Sequence, residues 1–341
     1  VDGREYIDYV GGAGALILGH SHPAVVQAMC QQIERGAHMF GSLNDIAVHL
    51  AERLVNDIPC AEKIAYATTG SEATAYAMRL ARAVTGRDKI LKFEGAYHGN
   101  HDYAIVSTFP RETGHYPEGV PDSHGQPAAT TGTVLVCPYN DLETLERIVA
   151  EHGHGIAAVI AEGVQRIIPA KPEFLRGIRR LCDAWDMVFI LDEVVTGFRL
   201  GYGGVQDWYD VRPDLATYGK VVGAGGPMSC IAGRAEILDL ADPGRKGQHG
   251  FTYFNGTLHG NPVAAAATLA MLDELARPDT YERLNQFADD LCRESQQVLD
   301  RHGIPAITCH TGSLWQILFM DRVPANQSDM LASDQAAMRR L

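Results

Sequence analysis

Between about residue 45 and residue 235, short and continuously apolar runs alternate with stretches whose apolar residues recur every three or four positions. The short runs are KIAYA (63–67), KILKF (89–93), TVLVC (133–137), IAAVIAE (156–162) and MVFIL (187–191). A strand with one wet face alternates apolar and polar residues. These runs do not, so they predict strands buried on both faces of a parallel sheet. The stretches between them predict helices. SEATAYAMRLARAV (71–84) carries Ala73, Ala77, Leu80, Ala81 and Val84 at helical spacing, a narrow stripe of small residues suited to close approach to a sheet. NDLETLERIVAEH (140–152) opens on Asn140 with Glu143 three residues later, which predicts a capped start. PEFLRGIRRLCDAW (172–185) begins with a proline suited to a first helical turn. Such alternation predicts a doubly wound α/β core that binds ligands at the carboxyl ends of its strands. Past residue 262 helices dominate, and SLWQILF (313–319) predicts one strand of a second, smaller domain. At the other end, VDGREYIDYVGG predicts a hairpin around Asp2-Gly3.

Composition narrows the function more than the fold. The chain has 341 residues, 46% of them hydrophobic, enough for a large core in two domains or in one domain with an appendage. Its formal net charge is -13, and no basic run is interleaved with aromatics, which argues against nucleic acid or an anionic membrane as partner. Seven scattered cysteines with no CxxC pair read as reduced thiols of a cytoplasmic protein, not as a disulfide framework. No run reaches the roughly 18 apolar residues of a membrane span, and no signal or transit peptide is visible. The chain opens without methionine and stops in the helical pattern DQAAMRRL, so it reads as a portion of something longer.

Four stretches carry candidate chemistry. In MVFILDEVVTG (187–197), the pair Asp192-Glu193 closes a fully apolar strand, where a carboxylate costs several kcal/mol unless partnered. It is either a loop carboxylate capping a neighbouring helix or an acid that binds a metal or a protonated ring nitrogen. In ATTGSEATAYAMRLAR (67–82), a strand runs through Thr68-Thr69-Gly70-Ser71 straight into a helix. That is either an ordinary serine N-cap or a phosphate cup of backbone amides at a helix N-terminus. It is not the dinucleotide GxGxxG fingerprint, and Gly219-Lys220 is followed by Val221, so it is not a P-loop. In FEGAYHGNH (93–101), Tyr97 is able to stack on a flat cofactor. His98 and His101 lack a third partner at metal-ligand spacing, so no metal site is expected. FNGTLHGNP (254–262) is a second glycine loop, uninformative alone. PDLATYGKVVGAGGP (213–227) places one lysine, Lys220, between an apolar segment and a glycine-rich one. A solvated ammonium there says little; a desolvated one is a nucleophile.

Together a phosphate cup, an aromatic plate, an acid for a ring nitrogen and a lysine make the parts list for pyridoxal phosphate. The lysine serves as covalent anchor and then as the amine that moves a proton. At this point the residues resemble a known family, the class III (fold type I) pyridoxal-phosphate aminotransferases, and within it the branch containing glutamate-1-semialdehyde aminomutase. The resemblance rests on GSEATAYAMRLARAVTGRDKILKFEGAYHG, DEVVTGFRLGYGG, PDLATYGK and GTLHGNP, which occur in the family's order between residue 2 and about residue 275.

The resemblance implies a mostly parallel sheet flanked by helices, with a smaller α/β domain from the chain ends. It divides the chain into an N-terminal segment (1–44), a large cofactor-binding domain (45–270) and an incomplete C-terminal domain (271–341). Lys220 matches the Schiff-base lysine and Asp192 the partner of the pyridine nitrogen. Val194 and Tyr97 match the two ring faces, with His98 beside Tyr97. Gly70 and Ser71 match the phosphate-binding amides, and Glu193 a position that supports the cofactor site. Gly256 and Thr257 match residues that reach the phosphate of a neighbouring subunit, which implies a homodimer with shared active sites. Glu162-Gly163 departs from the family's Glu-Pro, and Gln165 is the candidate to touch the cofactor's phenolic oxygen. The segments where the family keeps substrate-carboxylate contacts lie outside the chain. The implied reaction moves an amino group from an amino acid or amine to an α-keto acid. The alternatives are an aminomutase, which returns the amine to the same molecule, and a non-catalytic cofactor-binding protein. A nucleotide-dependent α/β protein would need a phosphate fingerprint that is absent.

Overall fold

The computed structural model describes residues 2–39 and 44–338. Its centre is a seven-stranded sheet of β1 (Lys63–Ala67), β2 (Lys89–Phe93), β3 (Val134–Cys137), β4 (Ile156–Glu162), β5 (Val188–Asp192), β6 (Leu215–Tyr218) and β7 (Ser229–Gly233). In spatial order they run β1-β7-β6-β5-β4-β2-β3. The pairs β3·β2, β2·β4, β4·β5 and β5·β6 are parallel, while β7 runs antiparallel to both β6 and β1. All five expected strands form, within one residue of their expected ends. The two that the apolar pattern missed, β6 and β7, lie in PDLATYGK and around SCIAG, where small and polar residues dilute the apolar signal.

Both faces of the sheet are covered from β2 to β7, which explains why those strands do not alternate; β1, expected to be a parallel strand buried on both faces, is instead an antiparallel edge strand that is only partly buried. Ile90, Ile160, Val188 and Ile190 pack on one side with Ala73, Ala77, Leu80 and Ala81 of α3 (Gly70–Thr85). Leu91, Phe93, Val159, Phe189 and Leu191 pack on the other. That second side is closed by α2 (Asp45–Asp57), α4 (Leu142–His152), α5 (Pro172–Trp185) and α7 (Pro262–Leu275); α1 (Pro23–Arg35) packs on α7. A six-residue α6 (Gly204–Tyr209) precedes β6, and α8 (Thr280–Arg301) leads to a hairpin of β8 (Ile307–Thr311) and β9 (Leu314–Leu318).

Several local expectations change. Helix α3 begins one residue early, and its N-cap is Thr69, whose hydroxyl accepts the Glu72 N–H, not Ser71. Helix α4 is capped by Asp141, which accepts the Thr144 N–H; Asn140 sits outside at φ +62° and ties Lys171, Pro169 and Ala325 together. Both helices start within two residues of the expected place, but a different residue caps each: the short side chain nearest the first free amides takes the cap. Residues 2–8 form no hairpin: Asp2 accepts the Arg4 N–H in a local turn, and no partner strand is present. Val84 leaves the apolar stripe and is exposed. No helix among the described residues is long and apolar enough to cross a membrane.

The stripe of α3 leaves no room between helix and sheet, since Ala73, Ala77 and Ala81 are fully enclosed. Ala77→Leu should therefore cost about 1–3 kcal/mol by overpacking, read as a lower urea midpoint, whereas Val84→Lys should stay within about 0.5 kcal/mol. Equal midpoints for the two variants would contradict this packing.

Candidate active site

The site follows from the register of the sheet. Across β4, β5 and β6, Glu162 lies opposite Asp192 and Asp192 opposite Thr217, so three polar side chains end three adjacent buried strands in one row. Asp192 finds its partners there. Its Oδ1 accepts the Val194 N–H at 3.0 Å and the Thr217 hydroxyl at 3.1 Å, and its Oδ2 contacts His98 Nδ1 at 2.7 Å. Burial lowers the His98 imidazole below its ordinary range, against the pull of Asp192. The ring is therefore neutral at pH 7, with its proton on Nδ1 and donated to Asp192.

Lys220 stands two residues beyond β6 at φ +51°, a left-handed conformation that costs energy in any residue but glycine. Burial is the main cause that lowers its ammonium, and Arg199 adds to the shift; Asp192 and Glu162 oppose it. Lys220 lines a cavity of about 170 Å³ together with Asp192, His98, Tyr97, Val194, Gly70 and Ser71. At one end of the cavity is the start of α3. Thr69 caps the Glu72 N–H, and no described residue accepts from the Gly70 or Ser71 N–H. Those two amides and the helix dipole make an anion cup. A Cβ on Gly70 would lie 3.0 Å from Val194 Cγ1, so glycine alone lets the helix end rest on that side chain. Gly99, at φ +108°, meets Ser71 still more closely, at 2.5 Å from an added Cβ to Ser71 Cα.

Free amides, a buried acid, an aromatic ring and an apolar side chain around one cavity fit pyridoxal phosphate. Seven residues expected at this site, Lys220, Asp192, Tyr97, His98, Val194, Gly70 and Ser71, line the one cavity. Four others do not. The Glu193 carboxyl turns away to accept from Thr196 Oγ1 at 2.6 Å and from the Val205 and Gln206 N–H groups at 2.9 and 3.3 Å. It holds the start of α6 and lines neither cavity, so its expected place among the cofactor contacts is corrected; burial pushes it up to about 7. Gly256 and Thr257 lie outside the cavity, Thr257 on the surface. Gln165 is also elsewhere: its Nε2 donates to the Glu94 carbonyl at 2.7 Å.

Glu162 is the residue that the sequence reading missed. It lines the inner cavity and also a larger one of about 640 Å³, which shares Tyr97, Glu162, Val195 and Lys220 with the first and adds Arg166 and Arg199. Its Oε2 accepts the Tyr97 N–H at 3.1 Å. Burial, reinforced by Asp192, pushes the carboxyl up to about 8, with Arg166, the Tyr97 N–H and Lys92 opposing. The signal that exposed Asp192 was equally present here, an acid closing a fully apolar strand.

The profile of the family described as Aminotransferase class-III matches residues 1–335. The chain belongs to the class III aminotransferases. An omega-transaminase from Sphaerobacter thermophilus shares 34% identity with it at a TM-score of 0.92, over 98% of this chain and 77% of that one. A transaminase structure with bound pyridoxal phosphate shares 30% identity at a TM-score of 0.86, over 93% and 74%. A glutamate-1-semialdehyde aminomutase from Pseudomonas aeruginosa PAO1 shares 27% at 0.87, over 98% and 74%. This aminotransferase uses pyridoxal phosphate and moves an amino group from a donor to an α-keto acid on a fold type I scaffold.

Glu162 gives the site a pH signature. The folded aminotransferase keeps a proton on this carboxyl up to about 8, whereas the unfolded chain releases it near the ordinary 4.5. Between those values the folded state binds more protons, so this group's contribution to stability falls as pH rises. Glu162→Gln cannot ionise. Its denaturation midpoint without cofactor should therefore gain steadily on the native protein's from pH 5 to pH 8; a difference constant with pH would contradict the assignment.

Proposed function

We propose that Lys220 is the amine that carries the cofactor and that Asp192 serves the cofactor's ring nitrogen. The observation that carries this reading is the shared cavity: Lys220, the buried Asp192 and the first residues of α3, Gly70 and Ser71, line one space. When bound, pyridoxal phosphate supplies an aldehyde that takes up amino groups and a ring that accepts the electron pair left by a departing α-proton. The protein's own groups do the rest. A carboxylate has about four acceptor positions. Val194 and Thr217 occupy Oδ1, and His98 takes one position on Oδ2. One position on Oδ2 is left for a ring N–H. Gly70 and Ser71 N–H groups bind the phosphate end, and Val194 and Tyr97 hold the ring between them. Burial lowers the proton affinity of Lys220 Nζ, which favours its acting as a base toward a bound substrate. With the cofactor bound, Lys220 Nζ would be placed to hold and move the proton of the substrate carbon that bears the amino group.

The favoured substrate is an amino acid or related amine whose amino group lies away from the α-carbon, with intermolecular transfer to a keto acid. The likeness to an omega-transaminase supports this. The likeness to a glutamate-1-semialdehyde aminomutase supports the second reading, an intramolecular transfer within that branch of the family. Turnover that strictly requires added keto acid separates transamination from the mutase reaction, which needs none. The active unit in this proposal is a homodimer. Thr257 is exposed beside Tyr253 and Leu258, also exposed, on a loop outside its own cavity and free to reach a partner's. A cytoplasmic setting is supported by seven free cysteines.

Lys220→Ala should abolish turnover and the yellow absorbance of lysine-bound cofactor, while the protein still binds pyridoxal phosphate reversibly; retained turnover would refute the role. Thr257→Ala should raise the cofactor dissociation constant about tenfold, the loss of one hydrogen bond to a charged group. An unchanged constant would speak against a shared site.

A further inference from the structure

Lys92 lies on β2, one strand in from the β3 edge of the sheet, and none of it reaches solvent. Its Nζ meets the Ala104 carbonyl at 2.6 Å, the Val106 carbonyl at 2.7 Å, Thr108 Oγ1 at 2.9 Å and the Ala96 carbonyl at 3.1 Å. Every one of these accepts. The carbonyls have no proton to give, and the Thr108 hydroxyl donates its own to Ala104. Burial lowers the Lys92 ammonium to about 7, but an ammonium, all donor, suits this ring, and a neutral amine would set its lone pair against oxygen, so the acceptors favour the charged form. Among the described residues no carboxylate lies within ion-pair distance of Nζ. Burying a cation against neutral oxygens is costly, and an apolar side chain would serve the sheet better. The benefit must lie in what Lys92 holds.

What it holds is the loop that carries Tyr97 and His98. From Glu94 to Pro127 the chain forms no helix or strand, so those enclosed carbonyls that no backbone N–H reaches need donors from side chains. Three consecutive ones have them: Glu94 from Gln165 Nε2, Gly95 from Arg166 Nε and Ala96 from Lys92 Nζ. The last is decisive. The Ala96 carbonyl and the Tyr97 N–H belong to one peptide group, and that N–H donates to Glu162 at 3.1 Å. A single peptide plane is thus gripped by a buried cation on one side and a buried acid on the other. The plane fixes where the Tyr97 ring begins, and Tyr97 borders both cavities.

We propose that Lys92 is a positioning residue of the aminotransferase, setting through the Ala96–Tyr97 peptide group the angle at which Tyr97 meets the cofactor. The proposal rests on the reading that Tyr97 lies against the cofactor ring. The test compares Lys92→Met, Tyr97→Ala and the double variant by titrating each apoenzyme with pyridoxal phosphate and by following amide hydrogen exchange in the apoenzyme. Lys92→Met should speed exchange at residues 96–108 about tenfold while leaving residues 156–162 unchanged. It should raise the cofactor dissociation constant about tenfold in the native background but less than about threefold in Tyr97→Ala. Independent, multiplying effects on the constant, or native exchange at 96–108, would overturn the proposal. If Tyr97→Ala itself binds cofactor normally, the placement of Tyr97 fails first, and the exchange result still reports separately on Lys92. Should Lys92→Met not fold, Thr108→Val removes one of the four acceptors and should give the same pattern at about threefold; no change there overturns the proposal equally.

Discussion

The parallel pairing of β4, β5 and β6 sets Glu162, Asp192 and Thr217 side by side near the carboxyl edge of a sheet that is mostly apolar on both faces. That row constrains everything around it. A buried acid needs donors, and Asp192 draws them from three directions: the chain just beyond its own strand, the neighbouring strand and a histidine from the loop after β2. Each donor brings another piece of the site. Val194 carries the apolar surface on which the start of α3 rests, and Thr217 leads within three residues to Lys220. His98 brings Tyr97.

Glu162, the other acid of the row, has no cation in direct contact among the described residues and keeps its proton to about 8. It is close enough to Lys220 and Lys92 to oppose the lowering of both ammonium groups. The inner cavity is therefore a place where proton affinities have been moved toward neutrality from both sides, the condition under which one amine can give and take a proton repeatedly. Gln165 and Arg166, whose hairpin follows Glu162 directly, serve the same region by holding the loop before Tyr97.

Much of this was legible in the sequence. Unbroken apolar runs identified five of seven strands because burial on both faces removes the alternation that marks a half-wet sheet. An acid closing such a run identified Asp192, and small residues leading into a helix identified the cup at Gly70 and Ser71. What was illegible depended on contacts between segments far apart in the chain. Glu193 reads like Asp192 but turns to the start of α6, because successive strand residues face opposite sides. Glu162 closes its run as Asp192 does, and only register shows the two as neighbours. Lys92 reads as a charge misplaced in a strand; its meaning appears once Ala96, Ala104, Val106 and Thr108 fold back over it.

The central claim is that Asp192, fixed by three donors, keeps one acceptor position for the cofactor's ring nitrogen. Nitrogen-15 NMR of the aminotransferase reconstituted with cofactor labelled at that nitrogen measures it directly. The account predicts a protonated nitrogen at neutral pH in the native protein and an unprotonated one in Asp192→Asn. An unprotonated nitrogen in the native protein, or one indifferent to the substitution, would contradict it.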